Sequence, residues 1–217
     1  SDLSHDLRTP LTSLLGYLET LSLKADRLTM EENKQYLNIA LRQGNKVRHL
    51  SQQLFELARL EHGGIKPQPE TFVLAELVQD VAQKFDLPVA TRNIGLQLEL
   101  AAGLPPVTAD LSMIERVLTN LLDNAIRHTP EGGVIRLAAR RAGPEIIVEV
   151  ADSGPGIAGE LRATLFERPS VLEPGAQSAS RGGLGLMIVR RMLQLHGGDI
   201  RLLEAPAGAC FQFTLPV

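Results

Sequence analysis

The sequence predicts an α+β chain in two parts: an N-terminal helical hairpin, then an α/β sandwich in which helices cover one face of a single sheet. Three observations carry that expectation. Leucines recur at alternating four- and three-residue steps through residues 7–57. Beyond residue 70, runs of alternating apolar and polar residues are interleaved with runs of helical period. Between the two lies His62-Gly63-Gly64, followed by Pro67 and Pro69, glycines that end a helix and prolines that cannot continue one.

In the hairpin, Leu7, Leu11, Leu14, Leu18 and Leu21 make one seam. Leu37, Leu41, Gly44, Val47, Leu50, Leu54 and Leu57 make a second. The polar stretch 24–32 reads as their connection, with Thr29 as N-cap ahead of Glu31 and Glu32. Two amphipathic helices cannot bury both seams alone. Two chains pairing as a four-helix bundle can, so the pattern predicts a homodimer.

In the second part, helices are expected over 74–85, 110–128 and 184–196. Strands are expected over 94–100, 134–140, 146–150, 200–203 and 210–215, with Ile94, Leu96, Leu98 and Leu100 on one face of the first. The expected division is 1–63 for the hairpin, 64–70 for a linker and 71–217 for the sandwich.

The bulk numbers set limits. At 217 residues, 44% hydrophobic and 22% charged, the chain suits one large domain or two smaller ones. A net charge of −3 gives no electrostatic reason to expect nucleic acid or a membrane surface as partner. The single Cys210 lies in an alternating apolar run and reads as a small core residue, a usage that suits a reducing compartment. No apolar run approaches the roughly 20 residues that span a bilayer, and no signal peptide is visible. Because the chain opens in mid-pattern just before His5, it is expected to be a piece of something longer.

The chemistry starts at His5. Two residues separate it from Leu3 and from Leu7, about 200° round a helix, so it is expected to face away from the seam. A solvated imidazole titrates near 6.5, leaving a nucleophilic nitrogen at neutral pH. Asp6 can accept a hydrogen bond from the other ring nitrogen and assist proton removal. Thr9 follows one turn on, and Pro10 removes one helical hydrogen bond. A lone histidine would read as ordinary surface.

Asn120, Asn124 and Arg127 fall at i, i+4 and i+7 of one helix, a polar stripe beside the apolar stripe of Ile114, Leu118, Leu121, Leu122 and Ala125. Amide oxygens suit Mg²⁺, and Arg127 suits phosphate oxygens. His128 is placed to lie over a base or ribose. Asp152-Ser153-Gly154-Pro155-Gly156-Ile157 follows a strand: a carboxylate able to accept from an exocyclic amine, and glycines that let the backbone approach a ligand. Arg181-Gly182-Gly183-Leu184-Gly185-Leu186 opens a helix whose N–H groups can meet an anion. It matches neither the Walker A nor the Rossmann pattern. Residues 167–180, rich in Pro, Gly, Ala and Ser, read as a mobile lid. His196-Gly197-Gly198 reads as a helix end, and His49 and His62 are given no role.

These blocks resemble one family. Ser4-His5-Asp6-Leu7-Arg8-Thr9-Pro10-Leu11 is similar to the H-box of sensor histidine kinases. Asn120 to Asn124, with Arg127-His128-Thr129-Pro130, resembles their N-box. The Asp152 and Gly182 blocks resemble the G1 and G2 boxes, with Arg181 in place of the first glycine. Phe166-Glu167-Arg168-Pro169 sits at the F-box position, with Pro169 where a second aromatic is usual. The resemblance covers nearly the whole chain. It implies a dimerisation and phosphoacceptor hairpin joined to an ATP-binding sandwich of the Bergerat, or GHKL, type. Autophosphorylation of His5 from ATP with Mg²⁺ would be followed by transfer to an aspartate of a response-regulator receiver domain. By the same resemblance Asn120 and Asn124 hold the metal, Asp152 reads the adenine amine, and Thr9 supports dephosphorylation of the regulator. The core would stand on the cytoplasmic side of a bacterial inner-membrane sensor. Two alternatives stand beside it: a dimeric ATP-binding scaffold or phosphatase with weak kinase activity, and an ATPase of the gyrase and Hsp90 type.

Overall fold

The structure, a computed structural model, describes residues 2–24, 26–166 and 183–217, with side chains from residue 7 onward in the first helix. Helices α1 (Asp2–Leu23) and α2 (Met30–Glu61) form the hairpin. Thr29 starts α2 with a reciprocal cap: its hydroxyl accepts from the Glu32 N–H at 3.2 Å, and its own N–H donates to Glu32 Oε2 at 2.9 Å. The Thr29 N–H, with the Thr29 hydroxyl that also donates to Glu32 Oε2 at 2.9 Å, holds the Glu32 carboxyl below its ordinary pKa. Across the hairpin, Tyr17 and Tyr36 lie 5.6 Å apart at a tilt. Gly44 admits Leu14 closely, a Cβ there falling 3.9 Å from Leu14 Cδ2.

Four of the twelve predicted seam residues stay exposed on one chain. Leu7, Leu14 and Leu21 are half-buried, whereas Leu11, Leu18, Leu37 and Leu41 are exposed. Pro10 lies inside α1 and is buried.

The second part continues through β1 (Glu70–Phe72), α3 (Leu74–Lys84), α4 (Asp86–Thr91), β2 (Gly95–Leu100), β3 (Val107–Ala109) and α5 (Leu111–His128). It ends with β4 (Val134–Ala142), β5 (Glu145–Asp152), α6 (Gly159–Arg162), α7 (Gly183–Leu195), β6 (Ile200–Leu203) and β7 (Cys210–Pro216). Among the described residues a five-stranded sheet runs in the order β2-β4-β5-β7-β6. β2 lies parallel to β4, reached through α5, and the other pairs are antiparallel. The small antiparallel sheet β1-β3 and the short helices α4 and α6 were not expected from the sequence.

One core fills the space between helices and sheet. Val78 and Val81 of α3, Ile114, Leu118 and Leu121 of α5, and Ile188 of α7 meet Ile135, Leu137, Val148, Phe211 and Phe213 of the strands. Apolar burial at roughly 25 cal/mol per Å² supplies the driving force. One expected inward residue departs from this layer. Leu98 is 41% exposed, because β2 is an edge strand of the sheet. The other sheet face is polar: Arg136 donates to Glu99 at 3.1 Å and Glu149 at 3.3 Å, and Gln212 donates to Glu149 at 2.8 Å.

α2 packs its C-terminal half on α7, and Leu57 and Leu60 join the main core. The hairpin is thereby docked on the sandwich. Among the described residues no helix is long and apolar enough to cross a membrane.

Candidate active site

α5 carries the predicted polar stripe. Asp110 caps it, accepting from the Met113 N–H at 3.0 Å, and Thr129 closes its far end by donating to the Ala125 carbonyl at 2.7 Å. With the apolar stripe sunk in the core, Asn120 and Asn124 are half-buried and Arg127 is exposed. The two asparagines, one turn apart, stand on the wall of a cleft.

One end of that cleft is lined by Asn124, His128, Asp152, Gly156, Ile157 and Leu186. Each of these residues belongs to a block that the sequence assigns to a nucleotide or its metal. Leu165, Ala209 and Phe211 line it too, and no motif pointed to them. Phe166 meets Phe211 edge-on, with ring centres 6.1 Å apart.

The other end is formed by Asn120, Asp123, Asn124 and Arg127 of α5, Leu184, Gly185 and Leu186 of α7, and His49, Leu50 and Gln53 of α2. Asn124 and Leu186 border both, so the two cavities adjoin at these side chains. A Cβ on Gly185 would sit 3.5 Å from Gln53 Nε2, so this glycine brings α7 close to α2. His49, which had no assigned role, stands on the wall of the site.

Asp152 ends β5 and is 8% exposed. Its Oδ1 accepts the Gly154 N–H at 2.8 Å and the Ala209 N–H at 3.3 Å. Burial pushes the carboxyl above its ordinary pKa, while these two N–H groups and His128 pull the other way. Gly154 is needed for close approach, since a Cβ there would fall 2.6 Å from the His128 carbonyl oxygen. Partial desolvation also raises the carboxyl of Asp123, an otherwise exposed residue, against the pull of Arg127, His49 and Arg116. Asp123 thus reaches the recess from beside the asparagine stripe, whereas Glu115 pairs with Lys84.

The Asn120 side-chain nitrogen is buried with no hydrogen-bond partner among the described residues. Such a group is costly unless a ligand or rearrangement completes it. Two amide side chains, one of them with an unmet N–H₂ donor, and a cation on one wall fit a hydrated divalent ion with phosphates. They supply oxygen donors and leave room for the ion's water.

Of the phosphoacceptor block, α1 carries His5 and Asp6 in its first turns, and their side chains lie outside the described residues. Thr9, one turn on, is exposed. α7 opens at Gly183, with Leu184 and Leu186 buried, while Arg181, Gly182 and the expected lid over 167–180, Pro169 included, lie outside the described residues. His196 sits at the end of α7 as expected: its Nε2 accepts from the Asp110 N–H at 3.0 Å, and its Nδ1 faces the Met192 carbonyl at 2.7 Å.

Comparison with known proteins settles the family. Residues 109–217, half of the chain, match the model of the histidine kinase-, DNA gyrase B- and HSP90-like ATPases. Residues 1–63 match that of the His kinase A phosphoacceptor domain. The chain belongs to this ATPase family, as a histidine kinase core. The core is 34% identical to the alginate biosynthesis sensor protein KinB of Pseudomonas aeruginosa, over 99% of this chain and 36% of that protein. The chain therefore spans about a third of that relative's length. Its structure resembles the histidine kinase AdeS of Acinetobacter baumannii with a TM-score of 0.77 and 27% identity, covering 98% of this chain and 97% of the other. It also resembles histidine kinase ThkA, solved in complex with the response regulator protein TrrA. There the TM-score is 0.80 and the identity 28%, over 99% of this chain and 60% of that one. The histidine kinase core thus carries an ATP-binding domain.

Proposed function

We propose that this core is an ATP-dependent protein histidine kinase that phosphorylates its own His5 and passes the phosphoryl group to an aspartate of a response regulator. The observation that carries the reading is a pair of adjoining cavities, one lined by Asn120, Asn124 and Arg127 and the other by Asn124 and buried Asp152, on the chain that holds the His5 block in α1. Residues 1–63 act as the dimerising phosphoacceptor, 64–70 as a linker and 71–217 as the ATP-binding domain. A homodimer accounts for Leu11, Leu18, Leu37 and Leu41, exposed on the single hairpin.

Each group has a role. Asp152 accepts from the adenine amine, beside His128, Gly154, Gly156 and Ile157. Arg127, Arg181 and the N–H groups of Gly182, Gly183, Leu184, Gly185 and Leu186 take the phosphates. Asn120 and Asn124 hold Mg²⁺, which when bound neutralises charge on the transferring phosphoryl group. The His5 imidazole nitrogen forms the bond to the γ-phosphorus as the bond to ADP breaks, and Asp6 assists loss of the ring proton. Most of the rate comes from positioning and charge, so the linker must carry the recess to His5 and away again. Thr9 holds a water for a separate hydrolysis, in which that water attacks the regulator's aspartyl phosphate and releases inorganic phosphate. The sensor names of the relatives favour a parent anchored in a bacterial inner membrane, with this core on its cytoplasmic side.

The test is autophosphorylation with γ-labelled ATP and Mg²⁺, comparing the chain with His5→Ala. Acid-labile, base-stable label that vanishes in the variant supports the proposal. Label that survives the substitution removes His5 from its centre.

A further inference from the structure

The loop between β6 and β7, residues 204–209, belongs to none of the motifs, yet it lies against Asp152. A Cβ on Gly208 would fall 1.6 Å from the Asp152 carbonyl oxygen and 3.0 Å from its Oδ1. No side chain larger than hydrogen fits there without moving one of the two segments. Gly208 also has φ +70°, the left-handed region that glycine adopts freely. The contact is mutual, since a Cβ on Gly156, in the loop after Asp152, would meet the Gly208 carbonyl oxygen at 2.9 Å. The next residue is stitched to Asp152 twice. Asp152 N–H donates to the Ala209 carbonyl at 2.9 Å, and Ala209 N–H donates to Asp152 Oδ1 at 3.3 Å. With Gly154 N–H also on Oδ1, both backbone donors hold one carboxylate oxygen, and among the described residues no hydrogen bond reaches Oδ2.

We infer that Gly208 is a positioning residue for base discrimination: its bare backbone lets the β6–β7 loop grip Oδ1 of Asp152 through Ala209, leaving Oδ2 for the exocyclic amine of the base. Ala209 and Phe211 line the same end of the recess, so the loop is both wall and clamp. A carboxylate free to rotate would accept from water as readily as from a base. One held at Oδ1 offers its second oxygen in a single direction, and a rigid acceptor discriminates against a ligand that lacks the donor. The inference rests on the reading of Asp152 as the adenine contact.

The experiment measures binding of ATP and of inosine triphosphate, which has a carbonyl where ATP has the amine. It compares the wild-type chain, Gly208→Ala and Gly143→Ala, the last a glycine at φ +62° with nothing within 4 Å of its would-be Cβ. The wild type and Gly143→Ala should prefer ATP alike. In Gly208→Ala the preference should shrink about tenfold, the size of one good hydrogen bond, through loss of ATP affinity with inosine triphosphate little changed. An unchanged ratio in Gly208→Ala overturns the inference while leaving Asp152 as the base reader. A wild type without preference removes that reading and the inference with it. If Gly208→Ala does not fold, nuclear magnetic resonance on the wild type decides. The Ala209 amide proton should titrate with the Asp152 carboxyl and lose that titration in Asp152→Asn. An Ala209 amide indifferent to Asp152 sinks the proposal.

Discussion

Arg116 of α5 donates to Glu56 of α2 at 2.8 Å, so one ion pair spans the hairpin and the sandwich. Their side chains are 42% and 21% exposed, which makes this a solvent-screened pair. Such pairs contribute less than about 1 kcal/mol. A chain of this size turns 1 kcal/mol into about 2–4 °C of melting temperature. Glu56→Gln should therefore lower the melting temperature by about 1–3 °C in dilute buffer. Near 1 M salt, where the screening length is about 3 Å, the gap should close. A gap that ignores salt would show that packing of Gln53, Leu57 and Leu60 holds the docked arrangement instead.

Glycine substitutions separate strain from collision. A Cβ on Gly198 would lie 2.0 Å from the Thr214 carbonyl oxygen, where the turn after α7 presses on β7. Gly198→Ala should cost about 3 kcal/mol or more, at the top of the usual range for single changes. Gly143→Ala, strained in φ but facing open space, should cost about 1–2 kcal/mol. Urea unfolding of both variants checks the ranking, and equal costs would mean that the β7 contact relaxes freely.

Much of this was legible because periodicity is local. The α5 stripe puts Asn120 and Asn124 beside a core that the same helix defines, and the strands announce themselves by alternation. The Thr29–Glu32 cap is a four-residue signal. What stayed hidden depends on long-range pairing. Ala209 and Phe211 reach the recess only because β7 pairs with β5, setting Cys210 opposite Ala151. His49 and Gln53 join it only because α2 docks on α7. Leu98 alternates like a core residue, but alternation cannot say that its strand lies at the edge. Gly208 lacks a motif, and its constraint comes from a carbonyl 56 residues away by number, Asp152.

The asparagine stripe makes a prediction about metal. If Asn124 acts through Mg²⁺, Asn124→Ala should bind ATP as the wild type does in the presence of a chelator and fall behind when Mg²⁺ is restored. Autophosphorylation should drop about 10²-fold, the usual loss for one group that stabilises transferring charge. Titration calorimetry with and without chelator reads the first effect. A deficit that persists in chelator would place the amide on the nucleotide itself.

Asp152 carries a conflict between stability and binding. Burial raises its pKa in the folded chain, so the folded state holds the proton more tightly than the unfolded chain, where the carboxyl titrates near 3.9. The associated stability is therefore complete below that unfolded value and is lost as pH rises through the raised, folded value. Asp152→Asn removes the titration while its Oδ1 can still accept the Gly154 and Ala209 N–H groups. Without nucleotide, the variant's melting temperature should gain on the wild type as pH climbs from about 4 through that window, and the gain should hold constant above it. Binding should move the opposite way. The variant presents an N–H₂ donor where the carboxylate presents an acceptor, so ATP affinity should fall at least about tenfold. The wild type should also lose affinity as pH drops and the carboxyl protonates. Thermal melts across pH 3.5 to 8, with and without ATP, read both effects together. A variant less stable than the wild type at neutral pH would mean that the ionised carboxylate is held more favourably than its burial implies.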